Sequence, residues 1–448
     1  MAMARNIAIA IALVAGLLLG AVVTYAYTTS ITVPRSEYES LKQTSVSKME
    51  FEGLQSQLNS LKQQLPDLPW FKENRKLRAA FIYVGPIGDL GWSHAHDQGR
   101  LIAQKNLPWL ETFFAEKIVG PDTERVIDRF IRDQKVDVII TTSFDHMDDT
   151  INAAKRYPDK LFIHVSGFKR AKNVATIMAD FYQLYYLNGL MAGALTKTNK
   201  IGYVAAHTIP EVVRHINAFV LGVREVNPTA TVDIRVLRAW YDPARARLAA
   251  EALIAEGVDV IAFTEDTETI VKVAEEHTLR GRQIYVFGHY SPMLRFGPNS
   301  VVSGQLVHWE VMYEYLLNYI YWGQHLKTPN GLADIDLFWT LREGAVELGA
   351  DFKVPINPKF IPALKEKTVT DRVTGKTMSV YDLVFLRLSQ MSTGPATFAS
   401  FEPFTGPIKD NQGRLAIPPG KSATLTELLN IDWFVEGVVR IVEVPRPK

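Results

Sequence analysis

Leu77-Arg78-Ala79-Ala80-Phe81-Ile82-Tyr83-Val84-Gly85-Pro86-Ile87-Gly88-Asp89-Leu90-Gly91-Trp92 runs from an apolar strand straight into a loop rich in glycine. An apolar run of this length, broken only by Arg78, reads as a strand buried on both faces, the kind found in parallel sheets. The helical stretch that follows, Ser93 to Lys105, makes it the first βα unit of an alternating series. In open α/β sheets ligands bind in the crevice beyond the carboxyl ends of the strands, so chemistry is expected in loops such as Gly85 to Trp92.

Working outward, the alternation continues as strand Thr112 to Ala115, helix Thr123 to Gln134, strand Val136 to Thr141, helix Asp148 to Tyr157, and strands Leu161 to Ser166 and Val174 to Ile177. The pattern then restarts with helix Tyr182 to Leu195 and strand Ile201 to Ala205, followed by helix Glu211 to Val226 and strand Val232 to Leu237. Helix Pro243 to Glu256, strand Val258 to Phe263, helix Thr269 to Leu279 and strand Gln283 to Phe287 complete it. Two doubly wound, Rossmann-like units around a cleft are predicted, with no residue-level repeat between them. The expected division is 77–180 plus 289–322 for the first lobe and 181–288 plus 323–448 for the second. In this reading Val301 to Trp322 returns to the first lobe, and the residues beyond Asp336 are appended to the second.

At the amino end no charged residue occurs between Arg5 and Arg35, and Ile7 to Tyr27 is almost wholly apolar. About 20 such residues span a bilayer, so residues 1–34 read as a membrane anchor that leaves the rest on the extracytoplasmic face. A cleaved signal peptide is the alternative, with Thr24-Tyr25-Ala26 as its site. Residues 35–76 read as a helical spacer. Phe51, Leu54, Leu58, Leu61 and Leu65 give it one apolar stripe, open to a short coiled coil, and Pro66 and Pro69 end it.

The 448 residues carry a formal net charge of +1, which argues against a nucleic-acid partner. They contain no cysteine, which removes thiol catalysis and thiolate metal sites. His94 and His96 do not share a helix face, so no metal is expected. Gly85-x-x-Gly88-x-x-Gly91 is not a dinucleotide fingerprint, and neither a Walker lysine motif nor a nucleophile elbow occurs. No cofactor and no enzyme activity are expected.

The loop positions after the strands hold Asp89 and Trp92, Ser143 to His146, Gly167-Phe168, His207, Trp240-Tyr241-Asp242, Glu265-Asp266 and His289-Tyr290. Aromatic faces stack on planar rings, and carboxylates accept hydrogen bonds from ring N–H, amine or ribose hydroxyl groups. A planar heterocycle uses both. Each position also has a plainer reading: Asp89, Asp145 and Asp242 as caps, Trp92 and Trp240 as packing residues.

Several stretches, in order, carry a family resemblance. They are Gly88-Asp89-Leu90-Gly91-Trp92, Thr141-Thr142-Ser143-Phe144 with Met147-Asp148, and Tyr186-Leu187-Asn188-Gly189. Lys200 to Ala206 with Ile209-Pro210-Glu211-Val212, Asn217-Ala218-Phe219, Phe404 to Ile408 and Asp432 to Val438 follow. From about Leu77 to Val439 the chain resembles the basic membrane protein family of solute-binding proteins, the receptors of ABC importers that include purine-nucleoside receptors. The resemblance implies a type I periplasmic-binding-protein fold with three crossing strands and an ABC permease as partner. It also implies a purine base or nucleoside as ligand, held between aromatic walls. Carried onto this sequence, Trp92 and Trp240 become the walls and Asp89 and Asp266 the polar contacts, with Phe144, Gly288, His289 and Gln305 in neighbouring binding positions. Trp92-Ser93 departs from the Phe-Asn common in nucleoside receptors, and His289-Tyr290 from an aspartate-bearing loop, a pattern closer to nucleobase ligands such as adenine. A membrane-anchored sensor that uses the same cleft without transport is the alternative.

Overall fold

The computed structural model describes residues 67–393 and 401–446. Ile7 to Tyr27 and the stripe from Phe51 to Leu65 lie outside them. Among the described residues no helix is long and apolar enough to cross a membrane. The chain divides into two compact units, the smaller formed, among the described residues, by 67–76 together with Leu317–Lys327. In it the Trp70 ring stacks on Tyr321 at 6.4 Å, and Trp70 Nε1 donates to the Tyr321 carbonyl at 3.1 Å.

The larger unit holds two parallel sheets. The first is built from β1 (Leu77–Ile82), β2 (Leu110–Ala115), β3 (Val138–Thr141), β4 (Leu161–Val165) and β5 (Val174–Ala179). The helices α1 (Trp92–Asn106), α2 (Asp122–Gln134) and α3 (Met147–Arg156) connect them. The second contains β6 (Lys200–Ala205), β7 (Thr231–Val236), β8 (Val260–Thr264), β9 (Tyr285–Tyr290) and β10 (Val301–Val307). Its helices are α4 (Tyr182–Leu195), α5 (Pro210–Val226), α6 (Pro243–Ala255) and α7 (Thr269–Leu279). Every residue of β3, β5, β8 and β10 is buried, as strands covered by helices on both faces must be.

Spatial order in the first sheet is β2-β1-β3-β4-β5 and in the second β7-β6-β8-β9-β10. The two lobes therefore share one topology, the doubly wound order whose ligand crevice lies where the chain reverses direction across the sheet. That point falls between β1 and β3 in one lobe and between β6 and β8 in the other.

Two expectations are corrected. Val301–Val307 does not return to the first sheet: it pairs in parallel with β9 in the second, Gln305 opposite His289 and Leu306 opposite Tyr290. A strand with no exposed residue needs a neighbour on each side, and β12 (Val346–Leu348) supplies the other. Only the helix after it, α8 (Trp309–Tyr321), goes back, with Tyr313 packed on Phe81 at 5.0 Å and Trp309 against Gly99. Conversely β11 (Asp336–Trp339) joins the first sheet beside β5, where the Asp336 carboxylate takes the Thr176 hydroxyl at 2.8 Å and pairs with Arg170. β13 (Val438–Glu443) then adds to the edge of the second sheet next to β7.

The chain thus passes between lobes three times, at 180–181, at His308 and at 340–345. The passes are stitched together: Asp180 N donates to the Trp339 carbonyl and His308 N to that of Ala345, each at 2.8 Å. Asp180 is fully buried and takes the Arg214 guanidinium, whose Nη1 also donates to the Leu428 carbonyl at 2.7 Å. Although burial works against it, Arg214 and His215 hold the Asp180 carboxyl well below the usual carboxylate range. Behind this hinge α4 and α5 press together through Gly189 and Gly222, where a Cβ would meet the Phe219 or Tyr186 carbonyl at 2.1 Å. Only glycine permits so close a backbone approach.

Candidate functional site

The loops at the two reversal points converge on one space. Val84 and Trp92 follow β1, Ser143 and Phe144 follow β3, and Ser166 follows β4. From the second lobe come Glu211, Trp240 and Tyr290. Together they line an inner chamber of about 20 Å³, which leads past Val84 and Trp240 into an outer one of about 590 Å³. The outer chamber is bordered by Pro86, Lys117, Asp145, His207, Tyr241 and Asp266, among others. A ring system therefore reaches the inner wall only as the lobes part, the motion expected of a two-lobed trap.

The backbone is strained where it meets the chamber. Ser166 and Tyr290 both adopt left-handed conformations, φ 68° and 61°, and so does Leu90 at 60° in the first loop. For a bulky residue such as Tyr290 this costs energy and survives only where the surroundings enforce it, commonly at binding sites. Tyr290 is fixed by edge contacts with Phe181 at 5.2 Å and Trp92 at 5.4 Å.

Trp92 opens α1, one residue before Ser93, where the sequence reading starts this helix. It is both wall and packing residue. Only 6% exposed, it meets the rings of His96 at 4.5 Å and Trp309 at 5.4 Å, and its indole N–H donates to the Thr142 carbonyl. Trp240 is only half-buried, its ring 4.7 Å from that of His207, and it borders both chambers. Phe144 lies on the opposite lobe, 6.4 Å from the Phe168 ring.

Asp89 takes its plainer reading. Oδ1 accepts from the backbone N–H groups of Gly91 and His94 at 2.9 Å each, and Oδ2 from Ser93 at 3.2 Å, capping α1 rather than lining either chamber. Asp266 reaches the same helix end from the other lobe, its Oδ1 accepting from Trp92 N at 3.0 Å, and it borders the outer chamber. Gly91 makes this approach possible, since a Cβ there would stand 2.5 Å from Asp266 Cα. Burial pushes Asp89 up to about 6 against the pull of its three N–H donors. Burial and the neighbouring Asp89 charge push Asp266 well above the usual range.

Gly288, His289 and Gln305 are not brought to the chambers. His289 is buried behind Tyr290, its Nδ1 3.0 Å from the Tyr185 hydroxyl and 3.3 Å from Gln305 Oε1, and desolvation holds it neutral, well below the usual histidine range. Gly288 sits inside β9 against Met293. The reason is position: all three lie inside β9 or β10, where Gln305 is registered opposite His289 and these residues are buried, and not in the loops beyond the strand ends. Sequence reasoning passed over Glu211 and Ser166 as lining residues, and singled out Tyr290 only as a loop position beside His289. Glu211 was visible as the first acidic residue after β6, in the first turn of α5 directly after Pro210.

Residues 76–374 match the family of PnrA-like ABC transporter substrate-binding proteins, Bmp. The chain belongs to this family. This is a family of solute-binding proteins, and membership implies a small-molecule ligand and a permease partner. A relative from Haloferax volcanii, provisionally named an ABC transporter glucose-binding protein, is 38% identical over 301 residues, 67% of this chain and 71% of its own length. The purine-binding protein of Brucella abortus is 33% identical over 365 residues, 81% of this chain and 93% of its own. The crystal structure of a solute-binding protein of an ABC transporter from Aeropyrum pernix superposes with a TM-score of 0.54 at 20% identity, covering 70% of this chain and 86% of that one, and shares the fold. Family and fold agree with the two-lobed reading of the sequence.

Proposed function

We propose that the protein captures a purine base or nucleoside between its lobes on the extracytoplasmic face and hands it to an ABC permease. The observation that carries this reading is the inner chamber, where Trp92, Phe144, Trp240 and Tyr290 surround two serines and one carboxylate. Flat rings gain from stacking on such walls. A pyranose bears hydroxyls around its rim, each of which needs a partner when buried, and this chamber supplies few. The purine-binding relative supports the same choice. In this reading Ile7 to Tyr27 anchors the protein, lobe one and lobe two carry the boundaries observed for the two sheets, and Asp266 and the outer chamber meet any sugar.

Calorimetric titration with adenine, hypoxanthine, guanine, adenosine, guanosine and glucose tests this reading. Saturable heat with a purine and none with glucose is the expected result, and glucose binding without purine binding refutes it. The sensor reading is separated by co-purification: loss of every permease contact, together with ligand-dependent self-association, would favour sensing.

A further inference from the structure

The purine reading leaves open what distinguishes one flat ring from another, and it assigns no role to Glu211. Of the eight described residues lining the inner chamber, Glu211 alone carries a formal charge. It stands in the first turn of α5, whose amino end favours a negative group. Its Oε2 accepts the Ser166 hydroxyl at 2.7 Å, and Ser166 presents that hydroxyl from a left-handed backbone, φ 68°. A strained residue on one lobe thus orients a carboxylate on the other. Oε1 has no hydrogen-bond partner among the described residues.

Among the described residues no cation forms a direct ion pair with this carboxylate. Arg214, one turn along α5, is committed to Asp180 and to the Leu428 carbonyl. Burial and the Asp180 charge push Glu211 above the usual range, while His215, Arg214 and the Ser166 hydrogen bond pull the other way. Glu211 is half-buried, and an acceptor with a free lone pair among apolar rings gains most from a donor brought by the ligand.

We infer that Glu211, oriented by Ser166, is the specificity-determining residue of the chamber, selecting planar ligands that present an N–H edge and rejecting anionic ones. The inference rests on the flat-ring reading of the site but not on the ring being a purine. Rings whose nitrogens are all alkylated, and phosphorylated or carboxylated analogues, fit the walls but leave the carboxylate unpaired or opposed by like charge.

The test is titration of the full-length protein and of Glu211→Gln and Ser166→Ala with two sets of ligands. The purine set is adenine and guanine, with 1,3,7-trimethylxanthine as the ring without N–H and adenosine monophosphate as the anion. The other set is 2-aminobenzimidazole with benzoate as its anionic counterpart. Wild-type protein is expected to prefer the N–H ligand of a set over its counterparts by tenfold or more. Glu211→Gln should lose roughly 10- to 100-fold for the N–H ligand, the range for a lost hydrogen bond to a charged group, and almost nothing for trimethylxanthine. Ser166→Ala should lose less, in the same direction, and serves as the second variant if Glu211→Gln melts early.

Equal binding of adenine by wild type and both variants overturns the assignment, as does wild-type binding of trimethylxanthine as tight as adenine. Binding of 2-aminobenzimidazole but no purine, lost in Glu211→Gln, retires the purine and leaves Glu211 standing. Binding of neither set overturns both.

Discussion

Replacing Gly91 with alanine isolates the meeting of the two lobes. The new methyl would stand 2.5 Å from Asp266 Cα and 2.7 Å from its Cβ and Oδ1, about an ångström inside ordinary contact. Two of these atoms belong to the backbone or its first carbon, so no rotamer change removes the clash. The φ of Gly91 is −111°, so no left-handed backbone is involved, but its ψ of −130° lies outside the α and β regions and adds a backbone strain for alanine that the melting curve must separate from the clash. The nearest atoms it meets all belong to Asp266, on the opposite lobe, so parting the lobes relieves the overlap. Forcing an extra methyl into a packed contact costs about 1–3 kcal/mol. That penalty falls on the closed form alone and lowers ligand affinity by roughly 5- to 150-fold, by the conversion of about 1.4 kcal/mol per tenfold. Titration of Gly91→Ala with the ligand that wild type binds measures this, and a melting curve without ligand controls for folding. Wild-type affinity in Gly91→Ala would show that this contact is no part of the ligand-bound form.

Trp240→Ala is expected to weaken binding by about 1–3 kcal/mol with little change in melting, while Trp92→Ala should also destabilise the fold by about 3–5 kcal/mol because its ring is packed against three others; equal melting losses for the two would contradict their different burial. The Asp89–Asp266 pair makes closure acid-favoured. Both carboxyls are raised in the closed form, so the stabilisation is complete below the ordinary carboxylate pKa near 4 and fades as pH rises through about 6. Affinity should therefore increase from pH 7.5 to pH 5, and Asp266→Asn should flatten the profile; an unchanged slope in that variant refutes the linkage. Asp180→Asn leaves the buried Arg214 without its counter-charge and is expected to cost about 3–5 kcal/mol of stability, read by denaturant unfolding; an unshifted midpoint would show the pair to be dispensable.

Much of this arrangement was legible from the residues. Apolar runs such as Val138–Thr141 and Val260–Thr264 announce strands covered on both faces, and their alternation with helices announces the class. That Trp92, Phe144 and Trp240 line the cleft was legible because each lies in a segment that follows a strand. What was not legible concerns partners distant in sequence. Val301–Val307 reads the same whichever sheet accepts it, and its place depends on pairing with β9 and β12. Asp89 looks alike as ligand contact and as cap, and only the convergence of three N–H groups decides between them. Glu211 was visible only as an acidic residue at a helix start, because its meaning comes from Ser166, 45 residues earlier and on the other lobe.

The three stitched passes between the lobes have a mechanical consequence. Side-by-side segments joined by hydrogen bonds at Asp180–Trp339 and His308–Ala345 behave as a flat leaf spring, compliant to bending across its face and stiff to twist and shear. A flexure of that kind returns its ends along one arc. Tolerances as fine as the seating of Asp266 on Gly91 can then be met at every stroke, with the accuracy built into the pivot rather than into the jaws.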